Sequence, residues 1–317
     1  DTYKATYVPD TEYDSDSRLK HTKGGNVFAG GMGNLYEQNG TTYINMVDWW
    51  KLGCVKSTKL TISGNAVIKS TVFGGGDLGQ VVGAHTAKNA ANADVSVGTE
   101  IIINGGTIGS EVKDGSNVVQ YTFGSVFGGG YGRLLDDLTV NGETTHPKFD
   151  AGLVKEDTKI DMQGGVVKAS IYGGGEMASV GSVGESNSVV GSTYVTVSGG
   201  TVGIAPITIS DTKRYFGGAK MGNVYGGGSG YNNTVRSGRI LKNTNVTING
   251  GTIYHNVYGG GAYGTVGDFD YQTGSDTQGG PVKVQGVNGL ATEGTGVATV
   301  TIKGGTIGYD GNENGMV

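Results

Sequence analysis

Apolar and polar residues alternate strictly in one short motif that recurs along the chain. Leu60/Ile62, Ile101/Ile103, Ile160/Met162, Val195/Val197, Val246/Ile248 and Val300/Ile302 take the apolar places. Thr61, Ile102, Asp161, Thr196, Thr247 and Thr301 stand between them. A period of two with one apolar face is a half-buried strand, and β-branched residues suit it. Gly-Gly follows most copies as a turn signal, and Thr-Ile or Val-Val after it opens a second short strand. A third strand, Val/Ile-Phe/Tyr, ends in Gly-Gly-Gly. Thr244–Gly261 shows all three parts without interruption, and Thr158–Gly175 repeats its spacing.

Three short strands between glycine corners, repeated in series, predict an all-β fold: a right-handed parallel β-helix of about six to eight coils. Its coils stack at about 4.8 Å, so equivalent residues form columns. The alternating pairs become a core ladder. Phe28, Phe73, Phe127, Tyr172, Tyr225 and Tyr258 become an aromatic column, and Asn26, Thr71, Ser125, Ser170, Asn223 and Asn256 a polar ladder at a corner. Insertions after Gly-Gly-Gly, such as Tyr131–Asp157 and Ser229–Asn243, are expected to project from one edge. Smaller insertions at Ser110–Gly124 and Ile204–Gly222 carry YTFG and RYFGG, expected as extra partial coils at another corner. Residues 1–50 read as an N-terminal cap and 51–317 as the repeats, with a first partial copy beginning near residue 24. Only KNAANAD, Lys88–Asp94, has the composition for a helical turn.

Composition narrows the class. Glycine supplies 63 of 317 residues but proline only 4, which excludes collagen. Regularly placed valine, isoleucine and aromatic residues argue against disorder. A net charge of −5 lacks the basic face that nucleic acid demands. No apolar run approaches the roughly 18 residues of a membrane-spanning helix, so no membrane insertion is expected. The single Cys54 excludes a disulfide framework within the chain. The C-terminal copy stops before its Val-aromatic-Gly-Gly-Gly half and the N-terminal NVFAGG lacks its strand pair, which leads to the expectation of a longer array or of like subunits joined end to end.

The pattern [VI]-x-[VI]-x-G-G-[TV]-[IV] with [VI]-[FY]-G-G-G resembles the glycine-rich repeats of large secreted or surface proteins of Bacteroidetes type. More loosely, it is similar to the β-helical passengers of autotransporter adhesins. That resemblance implies an extracellular or cell-surface scaffold holding its insertions towards a glycan or protein ligand. It carries no catalytic residues over to this chain.

Glycine triplets followed by Asp77-Leu78 or Glu176-Met177 lack the lysine and Ser/Thr of a phosphate loop. Carboxylates gather at Asp10–Asp16, Asp136-Asp137 and Asp268–Asp270, where solvated loops are the preferred reading over calcium. His21, His85, His146 and His255 show no ligand spacing, so no metal and no cofactor is expected. A polysaccharide lyase or glycosidase, the main rival reading, needs paired carboxylates on stacked strands. Asp161 has Ile102 and Thr196 as column neighbours, and Asp136 and Asp137 near Arg133 are the best local cluster, so the expectation is a non-enzyme. Tyr131, Tyr231, Tyr263 and Tyr271 are the candidate binding residues, because tyrosine offers a rigid apolar face and a hydroxyl.

Overall fold

A computed structural model describes residues 24–34, 36–39, 42–45, 51–133, 138–140, 143–183, 188–209, 212–231, 236–267, 269–271, 281–284 and 296–309. Within them every regular element is a strand except one helical turn at Pro147–Asp150. Two sheets, of 11 and 6 strands and parallel except for the strand His85–Lys88, carry the repeat. Thr58–Ile62, Asp94–Ile108, Asp157–Val167, Thr193–Val197, Thr244–Ile248 and Ala298–Ile302 lie side by side in that order. Their register aligns Leu60, Ile101, Ile160, Val195, Val246 and Val300 as one row. A second row aligns Ile68, Ile108, Val167, Val202, Ile253 and Ile307. The six-stranded sheet aligns the predicted aromatic column from Phe28 to Tyr258.

The predicted core ladder is buried where rungs lie on both sides. Ile101, Ile103, Ile160, Met162, Val195, Val197, Val246 and Ile248 form one apolar cluster with Val72, Val126, Ile171 and Val224 of the other sheet. Leu60 is only half-buried, and Val300 and Ile302 are 41% and 58% exposed. These three residues stand on the first and last described rungs of their sheet, so each lacks a neighbour on one side. The outward positions between the pairs are not uniformly wet either, since Thr196 is buried.

Two columns bind the rungs beyond backbone pairing. The aromatic rings stack nearly parallel, at 4.6, 5.1, 4.6, 4.9 and 4.7 Å between successive centroids. Offset contacts of this kind add about 0.5–1.5 kcal/mol per pair beyond area burial. The polar ladder works rung to rung. Asn26 Oδ1 accepts from the Thr71 amide, Ser170 Oγ from Asn223 and Asn223 Oδ1 from Asn256.

Glycine serves two separate needs. Gly165 in the Gly-Gly turn has φ +84, a left-handed conformation that side chains resist. Gly129 in a triplet has no positive φ; a Cβ there would lie 2.7 Å from the Gly175 amide nitrogen. Triplet glycines therefore permit close approach of neighbouring rungs. Buried threonines fasten that corner: Thr58, Thr99, Thr158, Thr193 and Thr244 each donate to the carbonyl of a triplet's first glycine at 2.5–2.6 Å.

Several expectations are corrected. Segments assigned to insertions contain a further row of the body, the parallel bridges Val55–Val81–Val154–Val180–Ile240–Val266, which form their own apolar cluster. Insertions do not leave from one edge. After Val81 and Val180 come the hairpins His85–Lys88 with residues 94–97 and Ser182–Val183 with Val189–Val190. In the copy between them, Leu138–Val140 with Glu143–Thr145 intervenes before Val154 instead. Exit points therefore alternate. Where the chain runs on uninterrupted, Leu78, Met177 and Tyr263 adopt positive φ; Gly53, Gly152 and Gly238 stand in the interrupted copies. Lys88–Asp94 is not helical but a hairpin turn, fixed by Asn89 Oδ1 accepting from the Ala91 and Ala93 amides. The YTFG and RYFGG insertions are antiparallel hairpins, since a parallel partial coil needs a long crossover. Most of the expected 1–50 cap, with Trp49 and Trp50, lies outside the described residues.

Candidate functional site

The predicted tyrosines differ in their surroundings. Tyr131 is 1% exposed and packs edge-on against Phe73 at 6.1 Å, so it belongs to the aromatic core and is withdrawn as a contact residue. It occupies the position that follows each triplet, where the chain turns inward. Tyr231 is half-buried, its amide donating to Ser237 Oγ. Tyr263 is 57% exposed. The side chain of Tyr271 lies outside the described residues, as do Asp136, Asp137, Asp268 and the Asp10–Asp16 carboxylates.

Charged groups on the sheet face are held by one another. Glu100 is buried and receives Lys159 Nζ and Lys59 Nζ, both at 2.8 Å, with His85 Nε2 at 3.7 Å. Burial opposes its ionisation, but the two lysines outweigh that and hold its carboxyl below the usual range. Asp161 accepts from Gln163 Nε2 at 2.9 Å. Asp157 is half-buried, and that partial burial pushes its pKa up despite its accepting from the Gly191 and Ser192 amides. Among the described residues, no group of three His, Cys, Asp or Glu is placed to hold a metal ion.

Exposed aromatic chemistry gathers instead at the corner after the second row. Backbone bonds from Gly109, Lys168, Gly203, Tyr254 and Gly308 to Ile68, Ile108, Val167, Val202 and Ile253 mark this corner rung by rung. One hairpin, Ser110–Lys113 with Val119–Phe123, leaves here. Thr122 Oγ1 donates to the Lys168 carbonyl at 2.6 Å, and Lys168 Nζ meets Glu111 at 2.7 Å, anchoring the hairpin across a rung. A second hairpin, Ile207–Ile209 with Thr212–Arg214, leaves from another copy. Arg214 latches the two together through Nη1 and Nη2 to Gln120, at 3.2–3.3 Å.

Beside that latch the rings are outward. Tyr121 is 50% and Phe123 38% exposed. Tyr309 meets Tyr215 edge-on at 4.9 Å and Tyr254 at 5.7 Å, and its hydroxyl donates to the Phe216 carbonyl. Tyr215, Tyr254 and Tyr309 are half-buried. Among the described residues, no hydrogen bond engages the Tyr121, Tyr215 or Tyr254 hydroxyl. His255, next along, has its Nδ1 at 2.6 Å from Asn223 Oδ1, and burial lowers its pKa. The corner thus carries two separate aromatic groups, Tyr121 with Phe123 on the outer face of the first hairpin and Tyr215 with Tyr254 and Tyr309 beside the second. Sequence reasoning passed over these residues, although YTFG and RYFGG held the signal. Compared with family models, curated proteins and solved structures, the chain matches none of them.

Proposed function

We propose that the parallel rows are faces of one right-handed β-helix, and that the chain is a non-catalytic extracellular scaffold, adhesin-like in action. The hand follows the rule for parallel crossovers, and the extracellular setting follows the resemblance of the repeats. The observation that carries the reading is the pair of hairpins latched through Arg214 and Gln120, which holds exposed rings on in-register rungs. Rigid rings on a fixed scaffold bind with little ordering cost. Against catalysis, Asp161 is engaged by Gln163 and has Ile102 and Thr196 as column neighbours.

The test is retention of the chain on a mucin-type glycoprotein surface, with release of reducing ends followed over a day. Retention that is lost in Tyr121→Ala/Tyr215→Ala, without sugar release, is the expected result. Release of reducing ends by the unaltered chain overturns the non-catalytic reading. Unchanged retention in the double variant overturns the site.

A further inference from the structure

The stack of rungs is stepped at both ends, and the two steps match. We infer that a second copy of this chain docks end to end on the first, so that two part-rungs make one whole rung. The inference goes beyond the scaffold reading and depends on no ligand.

The steps lie in which rows each end carries. At one end Val27–Phe28 lies outside Val72–Phe73, and Val55 lies outside Val81. The 11-stranded sheet starts one rung further in, where Thr58–Ile62 and Val67–Ile68 pair with Asp94–Ile108. The other end has the reverse arrangement. Ala298–Ile302 and Thr306–Ile307 lie outside Thr244–Ile248 and Thr252–Ile253. Among the described residues, no strand pairs outside Val257–Tyr258 and no bridge lies outside Val266. One end thus offers the rows that the other lacks. Translated along the stack, a second copy fits its part-rung beside the first, in the register that every interior rung keeps.

In that register the open rows meet their own kind. Val300 and Ile302 face Leu60 and Ile62 of the second copy, and Ile307 faces its Ile68. Thr306 faces Val67, which is 58% exposed in the single chain. Tyr258, stacked at 4.7 Å on Tyr225, receives Phe28, which itself stacks at 4.6 Å on Phe73. Val266 meets Val55, each of them packed on the apolar cluster of the third row. Met32, 67% exposed, comes to the turn at Ala262 and Tyr263. The polar ladder continues as well, since Asn256 stands where Asn26, Ser170 and Asn223 each accept an amide from the next rung.

The edges favour this occupant. Open strand edges are normally blunted by charge or proline, yet Ala298–Ile302 and Thr306–Ile307 carry neither. Lys59 is the one charge in the strands that face them, and it falls opposite Thr299, so no like charges oppose. An uninterrupted repeat, residues 244–267, has about the 20–30 residues a side of a standard protein interface. The contact is heterologous and propagates along the stack as a filament. The smaller sheet gives 6 rungs to each chain, and at about 4.8 Å per rung the axial repeat is about 29 Å.

Sedimentation velocity from low micromolar to near-millimolar concentration, with electron microscopy of the same samples, tests this. Mass should grow with concentration, and fibres should show an axial repeat of about 29 Å. Ile302→Asp and Val67→Asp each place a carboxylate at an exposed position on one end. Each should raise the concentration needed for association at least about tenfold, at unchanged melting temperature. Mixed together, the two variants retain one intact pair of ends, so they should form a dimer and grow no further. A strictly monomeric chain at every concentration overturns the inference, as does association that survives both substitutions or a mixture that stays monomeric. Association blocked by Ile302→Asp but not by Val67→Asp means that like ends meet, which overturns the head-to-tail order.

Discussion

Gly129→Ala isolates the close approach of rungs from every other role of glycine. Gly129 has no positive φ, so added backbone strain is not at issue. A Cβ there would stand 2.7 Å from the Gly175 nitrogen, 2.8 Å from its Cα and 3.1 Å from the Gly174 carbonyl carbon. All three are backbone atoms, with no flexible side chain to swing aside. Ordinary contact needs about 3.5–4.0 Å, so the two rungs must part by close to 1 Å locally. That stretches Gly129 N to Gly174 O, now 3.0 Å, and Gly128 N to Tyr172 O, now 2.8 Å, towards rupture. Each bond is worth about 0.5–1.5 kcal/mol and overpacking costs about 1–3. The Phe127–Tyr172 stack at 4.6 Å opens with them. Together these losses amount to about 2–4 kcal/mol. Urea unfolding followed by far-ultraviolet circular dichroism, read as a shift in midpoint at constant slope, measures it. Gly115→Ala is the control, because a Cβ there meets nothing within 4 Å; it should stay within about 0.5 kcal/mol of the unaltered chain. Equal midpoints for the two variants would refute the close-approach argument.

Other outcomes follow from the same structure. Thr158→Val keeps the shape but leaves the buried Gly173 carbonyl without its donor, and should cost about 1–3 kcal/mol in the same urea assay. Glu100→Gln strands the buried Lys159, while the exposed Lys59 keeps its solvent, and should destabilise by about 3 kcal/mol at pH 7. Because the folded-state pKa of Glu100 lies below its unfolded value, its contribution is present above the unfolded value and lost as pH falls through the folded one; a melting-temperature profile from neutral to acid should flatten in this variant. Asp157 has the opposite sign: burial raises its pKa, so it favours the fold below its unfolded value and loses that favour as pH rises through the folded one. Asp157→Asn keeps an acceptor for Gly191 and Ser192, and should leave stability at pH 7 unchanged or raised, which thermal melts decide.

What could be read from the residues was whatever recurs at fixed spacing. The Val246/Ile248 pair, the aromatic column and the Asn/Ser/Thr ladder declare themselves because each copy keeps its offset from the triplet. The Val81 row escaped because interruption comes before it in one copy and after it in the next, so its distance from the triplet changes. Tyr131 was misplaced for the same reason: as the first residue after a triplet it looks like the start of an insertion, yet its place matches that of Asp77 and Ser229. The aromatic corner draws Tyr215, Tyr254 and Tyr309 from unrelated offsets, and only the fold brings those offsets together.

The repeats form one in-register stack. Thr61 and Thr301 occupy the same outward position five rungs apart, through Ile102, Asp161, Thr196 and Thr247. Spin labels at Thr61→Cys and Thr301→Cys, with Cys54→Ser, report that separation by double electron–electron resonance. A single narrow distribution near 24 Å, five spacings of about 4.8 Å, is predicted. A broad distribution, or one centred well beyond that distance, would contradict the stack and with it the corner built upon it.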